Sequence, residues 1–151
     1  MPASAAGGDF LAKWEPARSA SGDGPTSSAG QNLRVLVVED DFVVAADLEH
    51  ELTEAGFEVI GPAATAEEAI ELARRMRPAL AIVDIRLAGE RDGIDAALQL
   101  YRDFNIRALF ATAHSDAATR ARAEPALPLG WLAKPYSTPA LIEAVKQTVR
   151  L

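Results

Sequence analysis

From residue 33 onward, short apolar runs alternate with longer stretches in which apolar residues recur at helical spacing. Runs of this kind are typical of buried parallel strands, and the stretches are typical of helices with one buried face. The runs are Val35–Val38, Phe57–Ile60, Ala79–Val83, Ala108–Ala111 and Gly130–Ala133. A strand comes first and a helix follows each strand, so the pattern predicts repeated βα units around a parallel sheet.

Residues typical of helix ends lie at the ends of the predicted helices. Gly56 closes the first helix, Thr65 and Glu68 form a capping box for the second, and Thr138 is the predicted N-cap of the last. Because parallel crossovers are right-handed, we expect an α/β fold: a doubly wound, five-stranded parallel sheet with five helices, flavodoxin-like, in the strand order 2-1-3-4-5.

Residues 1–32 differ in composition from the rest of the chain. They are dominated by Ala, Ser, Gly and Pro, and they offer too little apolar surface to offset the entropy of ordering. We therefore predict a disordered N-terminal tail over 1–32 and one folded domain over 33–151. Phe10–Trp14 is a small apolar island in the tail, either stray aromatics or a segment that docks on a partner.

Charge and cysteine content restrict the partners. The chain has 22 acidic and 15 basic side chains and a net charge of -7, which disfavours direct binding to DNA or to an anionic membrane. It has no cysteine, no apolar run long enough to cross a bilayer, and no basic region followed by an apolar one at its N-terminus. We expect a cytoplasmic protein.

Charged and polar residues directly follow the predicted strands. Glu39 and Asp40 follow the first strand, Asp84 the third, Thr112 the fourth and Lys134 the fifth. Each of them alone has an ordinary explanation as a helix cap or a solvent-facing residue. The carboxyl ends of parallel strands meet at one edge of the sheet, however, and that edge is where such folds bind ligands.

The residues at this edge match the needs of phosphoryl transfer. Clustered carboxylates repel one another unless a cation neutralises them, and Mg²⁺, or Mn²⁺ in its place, prefers oxygen ligands. Asp84 is the best candidate nucleophile, because a carboxylate can form an acyl phosphate. Glu39 and Asp40 then hold the metal with Asp84. The hydroxyl of Thr112 and the ammonium of Lys134 are candidate donors to the phosphoryl oxygens.

Four motifs in order resemble the receiver domain of two-component response regulators, over residues 33–151. They are Val37-Val-Glu-Asp-Asp41, Ile82-Val-Asp84-Ile, Phe110-Ala-Thr112-Ala and Lys134-Pro135-Tyr136. The resemblance implies that Asp84 is the phosphoacceptor, that the Arg86 carbonyl is a metal ligand and that Lys134–Pro135 is a cis peptide. The third motif also resembles that of stand-alone receivers of the Phe-Ala-Thr-Gly stress-response subgroup, although Ala113 replaces the glycine.

The resemblance further implies a switch. Thr112 matches the switch hydroxyl, Trp131 matches the aromatic switch position, and Tyr136 is an alternative to it. His114 lies where a side chain tunes the lifetime of the phosphoryl group, or is an ordinary loop histidine. The usual phosphoryl donor is a histidine kinase or a phosphotransfer protein.

The loop after Asp84 departs from the family pattern. Ala88 stands where many members have proline, and Asp92-Gly93 arrives one residue late. We therefore expect a longer and reshaped loop over 85–93, with an effect on how long Asp84 stays phosphorylated.

The leading hypothesis is a single-domain phosphoacceptor protein, not an enzyme. Its output is contact with a downstream protein, dimerisation, or service as a phosphate sink, and the sequence leaves these alternatives open. The competing hypothesis is a phosphohydrolase of the haloacid-dehalogenase-like type, which needs a second aspartate where Arg86 stands. Nucleotide or flavin binding is a third class, but no glycine-rich loop follows the first strand.

Overall fold

The computed structural model describes residues 13–17, 33–113 and 116–149. Within them one sheet carries helices on both faces. Its strands are β1 (Trp14–Pro16), β2 (Arg34–Val38), β3 (Glu58–Ala63), β4 (Leu80–Asp84), β5 (Arg107–Thr112) and β6 (Gly130–Ala133). The helices are α1 (Phe42–Glu54), α2 (Ala66–Met76), α3 (Gly93–Phe104), α4 (Ala117–Ala123) and α5 (Thr138–Val149). A short 3-10 turn, Glu124–Ala126, follows α4.

The sheet order is β1-β6-β5-β4-β2-β3. Strands β2 to β6 are parallel to one another and have the predicted order, so the doubly wound fold and its five helices are confirmed. The predicted count of five strands is wrong, because β1 adds a sixth strand, antiparallel to β6.

The prediction of a disordered tail is therefore wrong for residues 13–17. Composition measures how much apolar surface a segment offers by itself, whereas β1 pairs with a strand more than a hundred residues away and buries Trp14. The rest of the predicted tail, Phe10 included, lies outside the described residues.

Alternation along the central strands divides the core into two layers. In β4, Ala81 and Val83 face the layer beneath α2, α3 and α4, whereas Leu80 and Ile82 face the layer beneath α1 and α5. The period of two residues sends successive side chains to opposite faces, and both faces are covered. None of the helices in the described part of the chain is both long and apolar enough to cross a membrane.

The helix caps agree only partly with the sequence signals. Thr65 accepts a hydrogen bond from the Glu68 N–H at 3.1 Å, as predicted, but the Glu68 carboxylate accepts from the Ala64 N–H. In α5 the capping hydroxyl is that of Ser137, which accepts from the Ala140 N–H at 3.3 Å, and not that of Thr138. Caps are set by backbone geometry at a single residue, so a neighbouring hydroxyl can take the role.

Helix α4 is held to the N-terminus of α3 by Arg122. Its guanidinium donates two hydrogen bonds to Asp92 at 2.8 Å each and one to Asp95 at 3.0 Å. Asp92 and Asp95 also form a reciprocal capping box. Burial acts to raise the pKa of Asp92, but the hydrogen bonds from Arg122 and from the Asp95 backbone outweigh it and lower that pKa.

This pair predicts a pH dependence of stability. The pKa of the folded Asp92 carboxyl lies below its ordinary 3.8, so the pair stabilises the fold above that value and is lost as the pH falls through the folded pKa. Arg122→Gln should lower the free energy of unfolding at neutral pH, and its difference from the native chain should shrink below about pH 4. Urea denaturation across the pH range measures this. The control is Arg75→Gln, at an exposed position on α2; a pH-independent difference for Arg122→Gln would contradict the prediction.

Candidate functional site

One ammonium group joins the ends of three strands. The Nζ atom of Lys134, which follows β6, donates to Asp84 Oδ2 at 3.1 Å and to Glu39 Oε1 at 3.3 Å. Glu39 follows β2 and Asp84 ends β4. These side chains meet because parallel strands bring their carboxyl ends to the same edge of the sheet.

Asp40 completes an acidic cluster. One carboxylate oxygen from each of Glu39, Asp40 and Asp84 lies within 4.8 Å of the other two. Glu39 is 5% exposed and Asp84 is mostly buried, whereas Asp40 is open to solvent. Backbone groups orient the two buried carboxylates: the Asp41 N–H donates to Glu39 Oε2 at 3.1 Å, and the Arg86 N–H donates to Asp84 Oδ1 at 3.2 Å.

The electrostatics of the cluster follow from burial and from like charge. Burial raises the pKa of Glu39, and the charge of Asp84 raises it further. The hydrogen bond from the Asp41 N–H and the contact with Lys134 lower this pKa, but they offset only part of the rise. Burial acts to lower the pKa of Lys134, but its hydrogen bond to Asp84 and the two carboxylate charges raise it overall. Lys134 is therefore held as a cation, and the cluster favours a further positive charge.

The donor set suits a hard divalent cation. It consists of carboxylate oxygens only, one of them on a residue that faces solvent, and Mg²⁺ and Mn²⁺ prefer such ligands together with water. Glu39, Asp40 and Asp84 could hold the ion. The role predicted for the Arg86 carbonyl stays a prediction; the structure shows that the Arg86 backbone lies beside Asp84 through its N–H.

Thr112 ends β5 next to this cluster and is 7% exposed. Its carbonyl accepts a hydrogen bond from the Lys134 N–H at 2.9 Å, and the predicted cis peptide at Lys134–Pro135 is present. Phe110 lies two residues earlier, on the same face of β5. It stacks on Trp131 with ring centroids 4.6 Å apart, so the first predicted switch aromatic contacts the strand that carries Thr112.

Tyr136, the second predicted switch aromatic, packs in the other core layer. Burial raises its pKa, and the charges of Glu39, Asp84 and Asp47 raise it further, so its hydroxyl stays protonated. His114 lies outside the described residues.

The loop over 85–93 packs against neighbouring backbone. The Gly93 N–H donates to the Ile85 carbonyl at 2.7 Å, which closes the loop, and the Ala88 N–H donates to the Ala64 carbonyl at 3.2 Å. A Cβ atom on Gly93 would lie 2.0 Å from the carbonyl oxygen of Asp84. Glycine at 93 therefore lets α3 begin directly behind the candidate phosphoacceptor.

Sequence reasoning missed an exposed apolar pair beside the site. Phe42 and Val43, at the start of α1, are 86% and 78% exposed and come two and three positions after Asp40. The helical spacing that turns Leu48 and Leu52 inward leaves positions 42 and 43 outside the buried stripe. That spacing was the available signal.

Comparison with known proteins agrees with this geometry. A family model described as the response regulator receiver domain matches residues 35–146. The transcriptional regulatory protein PdtaR of Mycobacterium tuberculosis is 37% identical over 128 residues, which is 83% of this chain and 62% of the relative. The phyllosphere-induced regulator PhyR of Methylorubrum extorquens is 37% identical over 78% of this chain and 43% of the relative. The chain thus spans less than two thirds of these relatives.

A solved structure supports the same fold. The crystal structure of the signal receiver domain of a modulated diguanylate cyclase from Desulfovibrio desulfuricans aligns with a TM-score of 0.73 and 35% identity. The alignment covers 80% of this chain and 95% of that one.

The contact behind Asp84 predicts a cost for any side chain at 93. Gly93→Ala should lower the free energy of unfolding by about 1–3 kcal/mol, because the new methyl group would overlap the Asp84 carbonyl. Urea denaturation of the two chains measures the change. Gly89→Ala is the comparison: its φ is +90°, but its nearest atom would be 3.9 Å away, so it carries only the backbone cost. A smaller loss for Gly93→Ala than for Gly89→Ala would contradict the contact.

Proposed function

The chain belongs to the response regulator receiver domain family, and from that premise we propose that Asp84 accepts a phosphoryl group. The observation that carries the proposal is the Lys134 ammonium between the Asp84 and Glu39 carboxylates, next to a third acid that faces solvent. We take residues 33–151 as the receiver domain. A cytoplasmic location stays part of the proposal.

The step is an in-line displacement at phosphorus. A carboxylate oxygen of Asp84 forms the new bond to phosphorus, the bond to the donor breaks, and the leaving group departs with the electron pair. Glu39, Asp40, Asp84 and the Arg86 carbonyl would hold Mg²⁺ or Mn²⁺, which would supply positive charge to offset that of the phosphoryl group. Lys134 holds a phosphoryl oxygen, and the Thr112 hydroxyl donates to another.

The output is a change of shape and not turnover of substrate. A phosphoryl group on Asp84 draws Thr112 toward it, and Phe110 and Trp131 lie on the same side of the sheet as that movement. The affected surface is built from α4, β6 and α5, and it signals to a downstream protein or through a homodimer; a phosphate sink is the remaining alternative. A hydrolase of the haloacid-dehalogenase-like type gains no support, because Arg86 occupies the position of its second aspartate.

A small phosphodonor tests the chemistry. With acetyl phosphate and Mg²⁺, intact-mass measurement should show one phosphoryl group on the native chain and none on Asp84→Asn. Chelating the metal should slow the gain by roughly tenfold or more, because the phosphoryl charge is then poorly neutralised. Asp103→Asn, an exposed aspartate on α3, is the control and should be labelled like the native chain. A labelled Asp84→Asn chain would disprove the assignment.

Phe42 and Val43 support a protein as the physiological donor. They are the large apolar side chains that stand exposed in the described part of the chain, and only Asp41 separates them in sequence from Asp40 of the site. A histidine kinase or phosphotransfer protein must bring its phosphohistidine to Asp84, so its surface must cover the start of α1. Apolar residues at that place favour such contact.

The pair predicts a difference between donors. Phe42→Ser with Val43→Ser should slow transfer from a phosphohistidine-containing donor protein by about tenfold or more, since contact area is lost. Transfer from acetyl phosphate should be unchanged, because the reacting groups are intact. Radiolabel transfer at a fixed donor concentration measures both rates, with Thr53→Ser at the far end of α1 as the control. An equal loss with both donors would contradict a docking role.

A further inference from the structure

Residues 13–17 form a segment that we call the arm. The arm covers the edge of the surface built from α4, β6 and α5, which is the proposed output surface. β1 pairs antiparallel with β6, with Trp14 opposite Leu132 and Glu15 opposite Trp131. The Ala17 N–H extends the contact by donating to the Leu129 carbonyl at 3.1 Å. The edge of β6, which would otherwise offer unpaired backbone groups to another chain, is thus occupied by a segment of this chain.

The arm is held from both faces of the sheet. On the face of α5, Trp14 is 5% exposed, lies over Gly130 and donates through Nε1 to Gln147 Oε1 at 3.2 Å. On the face of α4, the Glu15 carboxylate forms an ion pair with Arg120. Both helices of the output surface therefore contact the arm.

Two contacts connect the arm to the site. The Arg120 guanidinium that pairs with Glu15 also lies over the Trp131 ring, 5.0 Å from its centroid. The Lys13 ammonium donates to the carbonyl of Pro135, next to Lys134. A movement of Trp131 or of the Lys134–Pro135 segment therefore disturbs the contacts that hold the arm.

The arm can reach its place on its own sheet. Fifteen residues, 18–32, connect it to Leu33 at the start of β2. Four strand spacings separate β1 from β2, about 19 Å in all. An extended chain of that length spans up to about 50 Å, so the connection is long enough to dock the arm and to let it leave.

We propose that the arm is an internal strand ligand that covers the β6 edge while Asp84 is unmodified and is released when Asp84 is phosphorylated. The inference rests on the proposed function. The arm has a three-residue strand and one buried side chain, Trp14, and its exposed Glu15 pairs with the same Arg120 that contacts Trp131, so a change at Trp131 acts directly on a contact that holds the arm. The vacated edge then accepts an extended segment of a downstream protein, through the same backbone hydrogen bonds.

Hydrogen exchange on the full chain tests the coupling. The protein is incubated with Mg²⁺ alone or with Mg²⁺ and acetyl phosphate, and intact mass records the phosphorylated fraction. The amides of Trp14, Glu15 and Ala17 and those of 130–133 should exchange roughly fivefold faster or more in the phosphorylated chain, as expected for coupling between two sites. Strand β3, at the opposite edge, serves as the internal reference.

Two variants test the contacts in the unmodified chain. Glu15→Gln removes the ion pair with Arg120, and Gly130→Ala places a methyl group 2.3 Å from the Trp14 ring. Both should speed exchange at Trp14, Glu15 and Ala17 without a phosphodonor, and Glu15→Gln should reduce the further gain on phosphorylation. Glu58→Gln is the matched control, because Glu58, on β3, forms an exposed ion pair with Arg34 on β2.

The outcomes separate the two proposals. Phosphorylated protein with unchanged or slower exchange at 130–133 overturns the arm proposal and leaves the phosphoacceptor role intact. Protein that gains no phosphoryl group overturns both. Variants at 15 and 130 that match Glu58→Gln also overturn the arm proposal, because the contacts then do not hold the arm.

Discussion

The interaction on which the site depends is the contact of the Lys134 ammonium with Glu39 and Asp84. These carboxylates come from the ends of different strands, and burial together with like charge would push them apart or protonate them. The shared cation allows both to lie at the edge of the sheet with their oxygens turned inward. Removing one partner would leave a buried charge without compensation. The free-energy cost of that charge is far larger than the stabilisation that the intact pair contributes.

From the end of β5, beside the site, a row of side chains crosses the sheet to its outer edge. Phe110, Trp131 and Glu15 lie opposite one another on three adjacent strands, all on the face covered by α4. Aromatic stacking joins the first two, and Arg120 joins the second to the third. These contacts form a continuous row from the end of β5 to the outer edge of the sheet, and the proposed release of the arm rests on that row.

Much of the fold could be predicted because its signals are local. The central strands are buried on both faces, so each appears as an unbroken apolar run, and the helices show one apolar face. Glu39, Asp40, Asp84, Thr112 and Lys134, the polar residues after those runs, do lie at one edge of the sheet, as the pattern predicted. Ser137 as a cap, the exposure of Phe42 and the packing of the loop after Asp84 could not be predicted with the same ease. They depend on single backbone angles and on which neighbour covers a surface.

The βα order, the parallel sheet and the acidic edge could be predicted from sequence, since hydrophobic period and residue type act over a few neighbouring positions. Three features appear only in the folded chain. The carboxylates of Glu39 and Asp84 share one ammonium, and Gly93 must be small because the Asp84 carbonyl lies against it. The third is the burial of Trp14 in the folded unit. Pairing between β1 and β6 joins residues far apart in the chain. Its stabilisation exists only when both strands are in place, so a local sequence pattern cannot predict it.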